Sequence, residues 1–105
     1  MEKMELEVYS QQSNSAVIKP PGRNYPGVVI QGDSLSVLYS EALEVLKALQ
    51  DSGDEEPYYA ALELAEKLET HLDHYSQVLQ EHGIELPFVR NPGESAAKYK
   101  RKGDL

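Results

Sequence analysis

Residues 4–10 alternate, with Met4, Leu6 and Val8 on one side and Glu5, Glu7 and Tyr9 on the other. A period of two predicts a strand with one buried and one wet face. Residues 11–14 are a polar turn. Residues 15–19, Ser-Ala-Val-Ile-Lys, predict a second strand paired with the first as a hairpin. Pro20-Pro21-Gly22-Arg23-Asn24 is a stiff connector, because prolines have no amide to donate to a ladder. Pro26-Gly27 is a turn signal, and the β-branched run Val28-Val29-Ile30 predicts a third strand.

The period then changes from two to about 3.6. Gly32 breaks the strand, and Asp33 or Ser34 is placed to cap the orphan amides of a helix. Leu35, Leu38, Ala42, Val45 and Leu49 recur at alternating spacings of three and four, and Leu43 and Leu46 widen this stripe. The sheet is the expected floor for it. A polar link with Gly53 and several acids follows, and Pro57 suits the first turn of a second helix. That helix is expected to run to about His82, with Ala61, Ala65, Leu68, Leu72, Tyr75 and Leu79 as its seam and Gly83 as a left-handed cap. Its length of about 25 residues exceeds what a small domain covers, so it overhangs its partner or packs on a second copy.

Ile84-Glu85-Leu86-Pro87-Phe88 is expected to turn back over the core, with Phe88 as a plug. From Asn91 onward no periodicity remains. The expected organisation is therefore one α+β domain over residues 1–90 and a disordered basic tail over 91–105. The fold class is a three-stranded, mostly antiparallel sheet covered by a two-helix hairpin, in the order β-β-β-α-α.

Composition narrows the function classes. The chain has 105 residues, no cysteine, no tryptophan and one phenylalanine. That is one modest core, with neither a disulfide framework nor a thiolate metal site. The acidic N-terminus shows neither the basic start nor the apolar run expected of a secretory leader, and no apolar run approaches the roughly 20 residues of a membrane span. These features lead to the expectation of a cytoplasmic protein without a membrane partner. The net charge of −8 is unevenly spread. Residues 34–85 hold twelve acids against Lys47 and Lys67, whereas Lys98, Lys100, Arg101 and Lys102 make the end of the chain basic. An acidic body repels nucleic acid and steers basic proteins toward it, leaving the tail as the one segment suited to nucleic acid.

No catalytic motif is complete. Gly27 to Gly32 bounds a strand and opens a helix, but it lacks both the lysine of a P-loop and the three spaced glycines of a dinucleotide fingerprint. Asp33 would repel a phosphate. His71, His74 and His82 lie on the second helix, with His82 about 16 Å along the axis from His71, which is poor metal geometry. Ser34, Ser36 and Ser40 lack a nucleophile elbow. Neither a cofactor, a metal nor a catalytic set is expected.

Several of these segments together resemble a bacterial family of small domains of unknown function. They are Val8–Ser10, Asn14–Val17, Pro21–Arg23, Pro26–Leu35, His74-Tyr75 and Glu81–Phe88. That resemblance implies a stand-alone bacterial domain and brings no activity. Residues 26–35 and 83–87 also resemble the core of HicB-type antitoxins, in which Pro-Gly, a short strand, Gly-Asp-Ser/Thr-Leu and an amphipathic helix follow in order. In that family the unit neutralises a small basic ribonuclease toxin. The family's DNA-binding segment has no counterpart here, and the long second helix departs from its pattern.

The expected function is non-enzymatic: a protein-binding domain, antitoxin- or immunity-like, that captures a basic protein on its acidic hairpin. The residues expected to carry this are Arg23, Asn24 and Tyr25 in the rigid loop, Asp33 and Ser34 at the helix start, and Glu63, Glu66, Asp73 and His74 on the second helix. One alternative is a ligand-binding or hydrolytic domain with a pocket between sheet and helices, using Asp33, Ser34, His71 and His74. Another is an oligomerisation module, with a homodimer through the second helix.

Overall fold

Strand β1 (Glu7–Ser10), strand β2 (Ala16–Lys19) and strand β3 (Gly27–Val29) form an antiparallel sheet in the order β1-β2-β3. Helix α1 (Gly32–Leu49) and helix α2 (Glu55–Glu81) follow, and a single 3-10 turn spans Ala96–Tyr99. The structure is a computed structural model and describes residues 2–101. The α+β class and the β-β-β-α-α order are those the hydrophobic periods predict.

The sheet pairs Val8 with Ile18 and Ala16 with Val29, with a bulge between Val8 and Ser10. The strands are shorter than the alternating runs, because the bulge and the prolines at 20, 21 and 26 break the ladders.

The helices depart from expectation in what they cover. No strand packs against either helix, so the hairpin does not lie across the sheet. The helices pack on each other and on the C-terminal segment instead. The buried stripe of α1 is Tyr39, Ala42, Leu43 and Leu46, while Leu38 and Val45 remain exposed. On α2 the buried positions are Tyr58, Ala61, Leu62, Ala65 and Leu72. The apolar arc of α1 is wider than one partner covers, and packing on α2 and the tail selects its Tyr39–Leu43–Leu46 side. The radius of gyration is 16.5 Å, against about 13 Å for a compact domain of this length. The standing sheet and a helix of about 40 Å account for the difference.

Helix α1 starts at Gly32, earlier than the capping residues suggested. Its N-cap is Gln31, without a side-chain cap, and Asp33 lies inside the first turn. There its carboxylate accepts the Ser34 amide at 2.8 Å, so Asp33 still satisfies one orphan donor. Gly32 is needed for close approach. A Cβ at this position would enter the Tyr75 ring, which fixes the start of α1 against α2. At the far end of α2, Gly83 has φ +67°, and the Ile84 amide reaches the Leu79 carbonyl at 2.9 Å. With the Gly83 amide on the Gln80 carbonyl, this is a Schellman cap, as the glycine predicted. Phe88 stacks on Tyr75 at 6.2 Å and packs on the core.

Candidate binding surfaces

The C-terminal segment was expected to be disordered from residue 91. Residues 91–101 instead fold onto the hairpin, and 102–105 lie outside the described residues. Three small facts of sequence explain this. Ala96 is small enough to sit fully buried between the helices, Tyr99 brings an aromatic ring three residues later, and Ser95 caps the turn by accepting the Ala97 amide. The Tyr58 hydroxyl joins the segment to α2. It donates to the Tyr99 carbonyl at 3.0 Å and accepts the Arg101 amide at 2.8 Å. The Arg101 guanidinium stacks 4.0 Å over the Tyr58 ring and donates to the carbonyls of Leu49 and Gln50. It thus adds donors at the C-terminal end of α1, where the Leu49 carbonyl also accepts from the Ser52 amide and hydroxyl.

Electrostatics hold the same face. The Glu69 carboxylate accepts both the Tyr39 hydroxyl at 2.6 Å and the Ala96 amide at 3.2 Å. Arg90 donates to Asp73 at 2.7 Å and to Ser76 at 3.2 Å, with its guanidinium over the Tyr39 ring. Lys100 stands 4.0 Å from Glu66. Burial, and then the bond to the Glu69 carboxylate, push the Tyr39 phenol far above its ordinary value. The bond to Glu94, and then burial, raise that of Tyr99. The charge split between acidic hairpin and basic tail is therefore satisfied in part within the chain.

The residues expected to bind a partner fall in separate places. Arg23, Asn24 and Tyr25 share an exposed loop that, with Pro20, Gly22, Pro26 and Gly27, lines an open concavity, and Tyr25 is 82 % exposed. Asp33 borders a second concavity with Val29, Ile30, Tyr75 and Pro87, and neither Ser34, His71 nor His74 lines it. The set named for a ligand pocket is thus not gathered around that opening. Glu66 and Asp73 face the C-terminal segment through Lys100 and Arg90. Glu63 pairs with Lys67 on the exposed side of α2, and His74 is exposed. Among the described residues no group of three or more His, Asp or Glu is placed to hold a metal ion. Among the described residues no helix is long and apolar enough to cross a membrane.

The opposite side of the hairpin is open. Leu38, Glu41, Ala42 and Val45 of α1 and Ala61, Leu64 and Leu68 of α2 line an apolar groove of about 370 Å³. Helical spacing already marked several of these positions, but as a seam filled by the sheet.

The residues missed from the sequence are Tyr39, Tyr58, Glu69, Arg90, Tyr99 and Arg101. A signal existed for the helical ones. Tyr39, Leu43 and Leu46 recur at four and three, and Tyr58, Leu62, Ala65, Glu69 and Leu72 do the same. The tail carried no period to read.

No curated protein and no solved structure matches the chain, and none of the comparisons brings a HicB-type antitoxin. The family model ends before the segment that completes the core. With residues 1–88 matched by that model, the chain belongs to a family of unknown function (DUF6959).

Proposed function

We propose that this protein is a non-enzymatic protein-binding domain that takes a basic partner on its acid-rich hairpin, in the manner of an antitoxin or immunity protein. The observation that carries the reading is the seating of the chain's own basic segment on that hairpin. Arg90 and Lys100 approach Asp73 and Glu66, and Arg101 covers the end of α1. The hairpin therefore has the chemistry to hold cationic chain. That segment leaves other acids facing solvent: Glu41, Glu44 and Glu63 along the helices, and Asp51, Asp54, Glu55 and Glu56 at the bend. A basic partner would be steered to these, with association fast and sensitive to salt. The exposed loop of Arg23, Asn24 and Tyr25 would add selectivity, since rigid Arg and Tyr side chains make effective contacts at little entropic cost.

The test is co-expression with each product of the adjacent genes, followed by purification through a tag on one member. A stoichiometric complex with a basic product, and relief of any toxicity of that product, is the expected result. If no adjacent product co-purifies in low salt, the reading is wrong.

A further inference from the structure

Two apolar surfaces of this chain face solvent in the protomer, and they do not touch each other. The first is one face of the sheet. Strand alternation and the pairings Val8–Ile18 and Ala16–Val29 put Leu6, Val8, Ala16, Ile18 and Val29 on that face, whereas the other face mixes the charged Glu7 and Lys19 with Val17 and Val28. The second is the groove floored by Leu38, Ala42, Val45, Ala61, Leu64 and Leu68. Leu6, Val8, Val29, Leu38, Val45 and Leu64 are each between 38 and 53 % exposed. A three-stranded sheet needs a covered face for stability, and here neither helix supplies it.

We propose that the protein forms a two-fold dimer in which the sheet face of each protomer lies in the helical groove of the other. Charge selects this pairing over groove against groove. Residues 32–85 carry thirteen acids and two bases, so two hairpins repel, whereas residues 1–31 carry three of each sign. Area selects it over sheet against sheet. Each patch alone presents only five or six apolar side chains, far fewer than the roughly 20–30 residues a side of a standard interface. A stable interface takes about 800 Å² from each partner. Only the reciprocal arrangement buries both patches of both copies. It is also closed, since two-fold symmetry uses every surface once and leaves no end from which a filament could grow. The connector favours exchange between copies. Only Ile30 and Gln31 separate β3 from α1, and Gly32 is held under the Tyr75 ring, so the sheet is pinned at one end of the hairpin. The groove lies beyond it, centred one to three turns along α1.

The test is sedimentation equilibrium of the full chain at high micromolar concentration, with Val8→Glu and Leu64→Glu as variants and far-UV circular dichroism as the fold control. The wild type is expected at twice the monomer mass, and each variant at the monomer mass with its helical signal unchanged. Should a glutamate variant lose helix, Val8→Thr or Leu64→Ser takes its place, with weakened dimerisation expected. A monomeric wild type overturns the proposal. So does dissociation by the sheet variant alone, which marks a sheet-to-sheet dimer, or by the groove variant alone, which marks a hairpin-to-hairpin one. A dimer that neither variant weakens overturns it as well. Glu41 borders the groove and is also among the acids assigned to the basic partner, but Val8 and Leu64 are not, and sedimentation uses the chain alone, so this test and that of the binding function fail separately.

Discussion

The Tyr58 hydroxyl donates to the Tyr99 carbonyl at 3.0 Å, across 41 residues of sequence, and accepts the Arg101 amide on its other side. One phenol on α2 thus closes the core over the 3-10 turn Ala96–Tyr99. Both rings are buried, and Ala96 fills the space beside them. Residues 96–101 are part of the fold rather than an appendage to it.

Removing that hydroxyl in Tyr58→Phe leaves the Tyr99 carbonyl and the Arg101 amide without this partner. The expected cost is about 1–3 kcal/mol. Tyr99→Ala also opens a cavity and should cost about 3–5 kcal/mol. Urea unfolding measures both. Equal stability of wild type and Tyr99→Ala would mean that the segment does not seat as described.

Gly32→Ala isolates a second contact. In an open helix the change would stabilise by about 1 kcal/mol, because alanine is the better helix former. Here the added methyl meets the Tyr75 ring, and overpacking of this kind costs about 1–3 kcal/mol. The variant should be less stable than wild type, and Tyr75→Leu in the same chain should recover part of the loss. A gain in melting temperature from Gly32→Ala alone would contradict the close approach.

Alkaline pH should unfold the protein through its tyrosines. The folded-state values of Tyr39 and Tyr99 are raised above the ordinary 10.0. The stability this reflects is fully present below pH 10 and is lost as pH rises from there toward the folded-state values, because the unfolded chain ionises first. Tyr39→Phe should flatten the decline of stability above pH 10 as measured by denaturant titration. A decline of the same slope in that variant would remove Tyr39 as its source.

Two ion pairs on α2 should differ in weight. Glu63 and Lys67 are both largely exposed, so Lys67→Ala should change stability by less than about 0.5 kcal/mol. Arg90 serves Asp73, Ser76 and the Tyr39 ring at once and is mostly covered, so Arg90→Ala should cost about 1–2 kcal/mol. The two thermal shifts, compared directly, check the ranking.

The sequence was most readable where a local rule acts alone. Period two marked the strands, period 3.6 marked the helices, and Gly83 marked its own left-handed cap. It was least readable where two surfaces compete for one stripe. Leu38 and Leu43 both belong to the apolar arc of α1, and spacing cannot say which of them faces α2. The tail was missed because burial of Ala96 and Tyr99 depends on a slot made by residues roughly thirty to sixty positions earlier, which no local window contains. Of the residues expected to bind a separate partner, Glu66 and Asp73 meet Lys100 and Arg90 of the same chain.

The central claim, that the hairpin's exposed acids hold a basic protein, is tested most directly by calorimetric titration with a basic product of an adjacent gene. Wild type should be compared in low and high salt with a variant carrying Glu41→Gln, Glu63→Gln, Glu55→Gln and Glu56→Gln. The account predicts binding in low salt that weakens steeply as salt rises and falls at least about tenfold in the variant, a loss of about 1.4 kcal/mol. Binding of equal strength in the variant, or no heat with any adjacent product in low salt, would contradict it.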